Sequence, residues 1–183
     1  MSILDNSYSH EIDAAELAAA LQASIEKIKP NIDAEAGDVL SLLSQGYTLA
    51  DIMDFGEGHK EALFQLGCRF MLSNDLEQAS NIFLTLALLD PLEERAQYGL
   101  GVVEQTRGDL PKAAQFFLQF ILLNATDPKG YLRLGECLRG ANEKEEAKAA
   151  FETAKQLAEK GHGSQADVTE AKRQLNSLSR HNT

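Results

Sequence analysis

The chain contains little of what stabilises small disulfide-bonded or metal-binding domains. Its 183 residues include no tryptophan, four prolines and two cysteines. Cys68 and Cys137 lie too far apart in sequence for the paired spacing of metal ligands. A disulfide is not expected in a reducing compartment. The sequence therefore predicts a domain held by its hydrophobic core, with no metal and no cofactor.

Long apolar runs are also missing. No stretch approaches the roughly 18 consecutive apolar residues that a transmembrane helix requires. The first residues, MSILDNSYSHEIDAAEL, are acidic and lack the basic and apolar regions of a secretory signal peptide. These features predict a cytoplasmic protein, or one delivered by a route that needs no such signal, that makes no membrane contact.

The residues that carry catalysis are sparse and scattered. The four histidines are His10, His59, His162 and His181. Three are predicted to lie in tails or loops between helices, and His59 lies at the start of the first repeat. The chain has no phosphate-binding loop, no dinucleotide glycine pattern and no HExxH motif. We therefore predict that the protein is not an enzyme and has no catalytic residues.

Positive charge is scarce in the first third of the chain. The net charge is −11, and residues 1–62 hold 12 acidic but only 3 basic residues. Nucleic acid is a poor partner for such a chain, because phosphate contacts need a basic surface. The acidity either keeps a helical protein soluble or forms an arm that shields a groove or steers a basic partner.

What the sequence does contain is a repeat of 34 residues. Three residue types recur at this interval in three copies: a Leu-Gly pair, an alanine and a phenylalanine. Thirty-four residues is the period of the tetratricopeptide repeat, a helix–turn–helix unit. The pattern predicts an all-α tetratricopeptide-repeat superhelix, with three repeats, N-terminal helices and a C-terminal capping helix, whose concave face holds another polypeptide. The recurring residues are Leu66-Gly67, Leu100-Gly101, Leu134-Gly135, Ala79, Ala113, Ala147, Phe83, Phe117 and Phe151.

Each repeat has a physical logic. The glycine in the first helix lets the second helix approach closely, because no Cβ stands between them. Asn74, Gly108 and Asn142 share one phase between the two helices, and these residue types tolerate the left-handed conformation of a helix end. The alanine and phenylalanine lie on one face of the second helix. We interpret the recurring Leu-Gly, alanine and phenylalanine positions as core.

Helix caps and glycine-rich turns in the sequence divide the chain into four predicted segments. Thr48 and Asp51 have capping-box spacing, Gly56 to Gly58 is interpreted as a hinge, and Ser164 is interpreted as the cap of a last helix. The predicted segments are an acidic extension with an amphipathic helix at 1–35, short helices at 36–58, three repeats at 59–163, and a capping helix with its tail at 164–183.

The amphipathic helix predicted over residues 11–29 has one apolar stripe. Leu17, Leu21, Ile25 and Ile28 are spaced as one helical face. The stripe either packs back on the same chain or pairs with its counterpart in a homodimer, and the sequence does not choose between these.

The repeat phase also predicts the concave wall, which becomes polar toward Glu136 and Arg139. Two alternatives remain open. The first-repeat apolar residues could be buried under the preceding helices, or Lys129 and Arg133 could form half of a clamp for a C-terminal carboxylate. The predicted peptide-binding residues are Phe64, Cys68, Met71, Leu72, Tyr98, Val102, Gln105 and Leu132.

Three short motifs, in order, resemble the class II chaperones of bacterial type III secretion. They are Gly46-Tyr47-Thr48-Leu49, the apolar run ending at Asp90, and Tyr98-Gly99-Leu100-Gly101. The resemblance covers residues 42–160. It implies a cytosolic chaperone, associated with virulence, that seats an extended segment of hydrophobic translocator proteins in its groove. It also implies that binding prevents aggregation and premature association, and that the chain forms a homodimer through N-terminal helices. The alternative function is a general tetratricopeptide adaptor or assembly factor unrelated to secretion.

Overall fold

The computed structural model describes residues 36–180. Within this range the chain folds into nine α-helices and no strand, which confirms the predicted all-α tetratricopeptide architecture. The predictions for residues 1–35, including the stripe Leu17, Leu21, Ile25 and Ile28, lie outside the described residues. The helices are α1 (Ala36–Ser44), α2 (Leu49–Ile52), α3 (Glu57–Leu72), α4 (Leu76–Leu89), α5 (Glu94–Arg107), α6 (Leu110–Leu123), α7 (Pro128–Gly140), α8 (Lys144–Leu157) and α9 (Gln165–Arg180).

Helices α3 to α8 form three consecutive hairpins. The residues predicted to turn the chain adopt the left-handed conformation, with φ of 59° at Asn74, 85° at Gly108 and 66° at Asn142. Asp75 and Asp109 then cap α4 and α6, each accepting a hydrogen bond from a backbone N–H in the first turn. Each turn therefore ends one helix and starts the next within a few residues.

The repeated glycine and phenylalanine pack directly against each other. Phe83, Phe117 and Phe151 are at most 1% exposed. A Cβ placed on Gly101 would lie 2.5 Å from the Phe117 ring, and one on Gly67 would lie 2.6 Å from the Phe83 ring. The glycine is therefore required by the ring that lies over it.

This close approach predicts opposite effects on stability when alanine replaces a packed glycine and when it replaces an open one. We expect Gly101→Ala to lower the free energy of unfolding by about 1–3 kcal/mol, because the buried ring must move. Gly58→Ala, in the open first turn of α3, is expected to raise it by up to about 1 kcal/mol through helix propensity. Urea unfolding followed by circular dichroism measures both. Equal effects of the two substitutions would contradict the packing argument.

The entry into the repeats differs from the predicted hinge. Gly56 is the N-cap of α3, whose first turn begins at Glu57, so Gly58 lies inside the helix and the hinge interpretation is wrong. An acidic residue in the first turn of a helix is stabilised by the helix dipole, which favours the earlier start. The predicted capping box is confirmed: the Thr48 N–H donates to Asp51 over 2.7 Å, and the Asp51 N–H donates to the Thr48 hydroxyl over 3.1 Å.

The last repeat ends in a π-helical turn, Ala158–His162, with Gly161 at a φ of 92°. The following helix α9 packs against α8 and buries Val168, Ala171 and Leu178. Ser164 and Asp167 exchange hydrogen bonds at its start, as the predicted cap requires. None of the helices between residues 36 and 180 has the length and apolar character needed to span a bilayer.

Candidate peptide-binding groove

An apolar groove of about 400 Å³ lies along the first helices of repeats one and two. Its walls come from α3 and α5, and the buried Phe83 ring lies beneath them. Six of the eight residues predicted from the repeat phase line this groove. Phe83 and Gly99 also line it but were not predicted: Phe83 was assigned to the core, and Gly99 was not among the predicted wall positions. The groove residues are Phe64, Cys68, Met71, Leu72, Phe83, Tyr98, Gly99 and Val102.

The first-repeat side of the groove remains open to solvent. Leu72 is 88% exposed, so the described helices that precede the repeats, α1 and α2, do not bury it. Phe64 and Met71 are half-buried and pack against the first-repeat core. An apolar side chain as exposed as Leu72, beside other apolar residues in a concavity, is a feature of binding sites.

Arg95 holds the ring of Phe64 at one end of the groove. Its guanidinium carbon lies 5.2 Å from the ring centroid, and the same group pairs with Glu93 and Glu61, both over 2.6 Å. Hydrogen bonds from Arg95 also hold the pKa of the Glu93 carboxyl below its usual value. The aromatic ring is thus positioned by a charged network before any partner arrives.

Tyr98 connects the groove to the core. Its ring meets Phe117 and Phe120 edge-on, with centroids 5.8 and 5.3 Å away, and its hydroxyl accepts a hydrogen bond from Arg133 over 3.2 Å. Such edge-to-face contacts and a satisfied hydroxyl fix the ring in one orientation. Removing this ring would therefore disturb stability as well as the groove.

Two predicted residues lie away from the apolar groove. Leu132 is only 7% exposed and belongs to the main core, although it touches a second hollow of about 470 Å³ beside Tyr98. Gln105 donates to Glu136 over 3.0 Å and does not line the apolar groove. Leu132 belongs to a core cluster that joins the second repeat, the third repeat and the capping helix, and the phase of a single repeat does not reveal this packing.

The second hollow is polar, in line with the predicted gradient. It is lined by Lys129, Arg133, Glu136 and the capping-helix residue Glu170, among others. Arg133 pairs with Glu136 over 3.0 Å. The half-clamp alternative is weakened, because the guanidinium of Arg133 is already held by Glu136 and the Tyr98 hydroxyl.

The two thiols provide a probe of the groove. Cys137 is fully buried, and burial raises its pKa to about 12; burial also raises the pKa of the half-buried Cys68 thiol, which lines the groove. Because the thiolate is the reactive form, we expect a thiol reagent to modify Cys68 slowly, faster at higher pH, and Cys137 only after unfolding. Counting modified thiols by mass spectrometry with and without denaturant checks this. Prompt modification of both thiols in the native protein would contradict the burial described.

The fold and groove define a tetratricopeptide-repeat domain with an apolar concave face. The tetratricopeptide-repeat family model matches residues 128–160. Among the described residues, no cluster of histidine, cysteine and carboxylate side chains could hold a metal ion.

Comparison with known proteins shows which tetratricopeptide-repeat proteins this chain is similar to. The low calcium response locus protein H of Yersinia pestis is 27% identical over 117 residues, covering 64% of this chain and 70% of the relative. A chain in a type III secretion complex from Aeromonas hydrophila is 25% identical with a TM-score of 0.71, covering 80% of this chain and 97% of that one. PcrH of Pseudomonas aeruginosa is 25% identical with a TM-score of 0.63, covering 68% of this chain and 94% of PcrH. Other structures show PcrH with the chaperone-binding regions of PopD and PopB.

These findings confirm the resemblance to class II translocator chaperones of type III secretion. Chaperones of this kind are non-enzymatic, which agrees with the prediction that the chain is not an enzyme.

Proposed function

We propose that this chain is a cytoplasmic type III secretion chaperone. In this proposal it binds an extended hydrophobic segment of translocator clients in its concave groove, without catalysis or cofactor, and prevents their aggregation and premature association. In this proposal the repeats at 59–163 carry the groove, and residues 1–35 form an acidic N-terminal extension.

The observation that carries the proposal is the apolar groove itself. Leu72 is almost fully exposed within it, and Phe64 is held in place by Arg95. Burying one such leucine against a client contributes about 1.5–3 kcal/mol. The likeness to PcrH, which is seen with the chaperone-binding regions of PopD and PopB, supports a peptide occupant.

The test is capture of clients by the groove. Mass spectrometry of proteins that co-purify with the tagged chain from its native cells is expected to identify translocators. For a client found in this way, Leu72→Gln is expected to weaken binding about tenfold or more, because an apolar contact is lost. Leu72 is a cleaner target than Tyr98, whose ring also packs in the core.

Leu122→Gln is the matched control. Leu122 is 82% exposed near the end of a helix, as Leu72 is, but lies outside the groove. We expect it to leave both client binding and thermal unfolding unchanged. Equal client binding by wild type and Leu72→Gln would contradict the assignment of this groove as the client-binding site. Recovery only of proteins unrelated to secretion would favour the adaptor function.

A further inference from the structure

A second apolar groove is lined by residues that include the end of α4, and it shares no residue with the apolar groove proposed to bind the client, which we call the client groove. We name the second groove the outer groove, and its volume is about 460 Å³. It lies between α1 and α2 on one side and the end of α4 on the other. Its residues are Leu43, Gly46, Tyr47, Thr48, Leu49, Ala87, Leu88, Pro91 and Leu92.

The outer groove is exposed to a degree that is unusual for apolar side chains. Leu92 is 71% exposed, Tyr47 is 51% exposed and Leu88 is 43% exposed. Leu84, one helical turn before Leu88, is 49% exposed on the same face of α4. No described segment covers this surface, and contiguous apolar patches of this kind mark interaction sites.

Helix α1 also lacks a full set of neighbours. It is short and largely apolar, and it packs chiefly against α2. Leu40 on this helix is 61% exposed. Because an isolated helix of this length is not stable in water, α1 needs further packing.

The chain carries a matching apolar stripe just upstream. Leu17, Leu21, Ile25 and Ile28 have helical spacing, and only the six residues 30–35 separate the segment at 11–29 from the start of α1. Six residues span at most about 20 Å when extended, so the tether keeps the stripe beside the outer groove. A short tether gives an effective concentration on the order of millimolar, which favours the chain's own segment over a second copy at lower concentration.

We propose that the outer groove binds the chain's own segment at residues 11–29. The stripe packs against Leu88 and Leu92 and completes the packing of α1. The segment therefore forms the N-terminal cap of the repeat stack, and the client groove is left open. This inference does not depend on the identity of the client.

Trypsin provides a direct readout on the full chain. Lys27 and Lys29 are the only basic residues before Lys60, and Pro30 makes the bond after Lys29 resistant. Cleavage after Lys27, inside the stripe, therefore reports how often the segment detaches. We expect the double variant Leu88→Glu, Leu92→Glu to be cleaved there about tenfold faster or more than wild type. Leu21→Glu, which alters the other side of the contact, is expected to have the same effect.

The control is Leu122→Glu, because Leu122 lies one repeat period after Leu88 and is also exposed. Its cleavage rate should equal that of wild type, and all variants should keep the helical circular dichroism signal. Protection of Lys27 should not change over about a hundredfold range of protein concentration. Equal cleavage rates in wild type and the double variant would overturn the proposal. A second result would also overturn it: protection of Lys27 that rises with protein concentration, together with a dimer in sedimentation that the double variant does not form. In that case a second copy of the chain would cover the outer groove.

Discussion

Replacing Phe117 by alanine is expected to lower the free energy of unfolding by about 3–5 kcal/mol. The ring is fully buried in the central repeat, where it lies over Gly101 and meets Tyr98 edge-on. Removing it leaves a cavity between α5 and α6, because close-packed neighbours relax only partly around a deleted ring. The same change weakens the support of Tyr98, so we also expect weaker client binding.

The measurement is urea unfolding followed by circular dichroism and by a probe in the third repeat. Because repeat arrays are stabilised by contacts between neighbours, loss of the central ring is expected to separate the unfolding of the first repeat from that of the third. The control is Leu122→Ala on the same helix, where an 82% exposed side chain is truncated; we expect a change within about 0.5 kcal/mol. Similar losses for both substitutions would contradict the central role of the ring.

Replacing Glu104 by alanine is expected to destabilise the protein by about 2–3 kcal/mol. The Glu104 side chain is 4% exposed and pairs with Arg107 over 2.7 Å and Lys112 over 3.1 Å. Arg107 also donates to the backbone carbonyl of Leu76 over 3.0 Å. Glu104 therefore joins α5 to α6 directly and to α4 through Arg107. We place the effect below that of a wholly buried pair, because both cations are partly exposed.

Thermal and urea unfolding check this prediction, with Glu152→Ala at an exposed position of α8 as the matched control. Glu152 occupies an exposed helical position, so its removal should change stability by no more than about 0.5 kcal/mol. If the pair is important, Lys112→Ala combined with Glu104→Ala should destabilise by less than the sum of the single changes. Additive effects would show that the pair contributes little.

The repeat period alone was enough to predict the fold of the described chain. A glycine, a left-handed turn and a phenylalanine at constant phase are local requirements of one helical hairpin, and Asn74, Gly108 and Asn142 meet them as expected. The hinge prediction failed because a Gly-Glu-Gly run is compatible with either a loop or a helix start. Here Glu57 lies in the first turn of α3, where the helix dipole favours an acidic residue.

Site residues were predictable where one repeat determines their environment. Phe64, Cys68 and Met71 line the groove because their helix presents them to it. Leu132 is part of a core cluster that joins the second repeat, the third repeat and the capping helix, so its burial depends on contacts between these units. Those contacts join residues more than thirty positions apart, and the phase of a single repeat contains no information about them.

The sequence by itself determined that this protein is a stack of three helical hairpins with an apolar-to-polar concave wall, because these features repeat within short, local patterns. Only the tertiary structure decided which wall residues remain open to a partner, that Tyr98 and Arg133 are committed to one network, and that an outer groove exists. The reason is physical: exposure depends on how neighbouring repeats pack, and that packing joins residues far apart in the sequence.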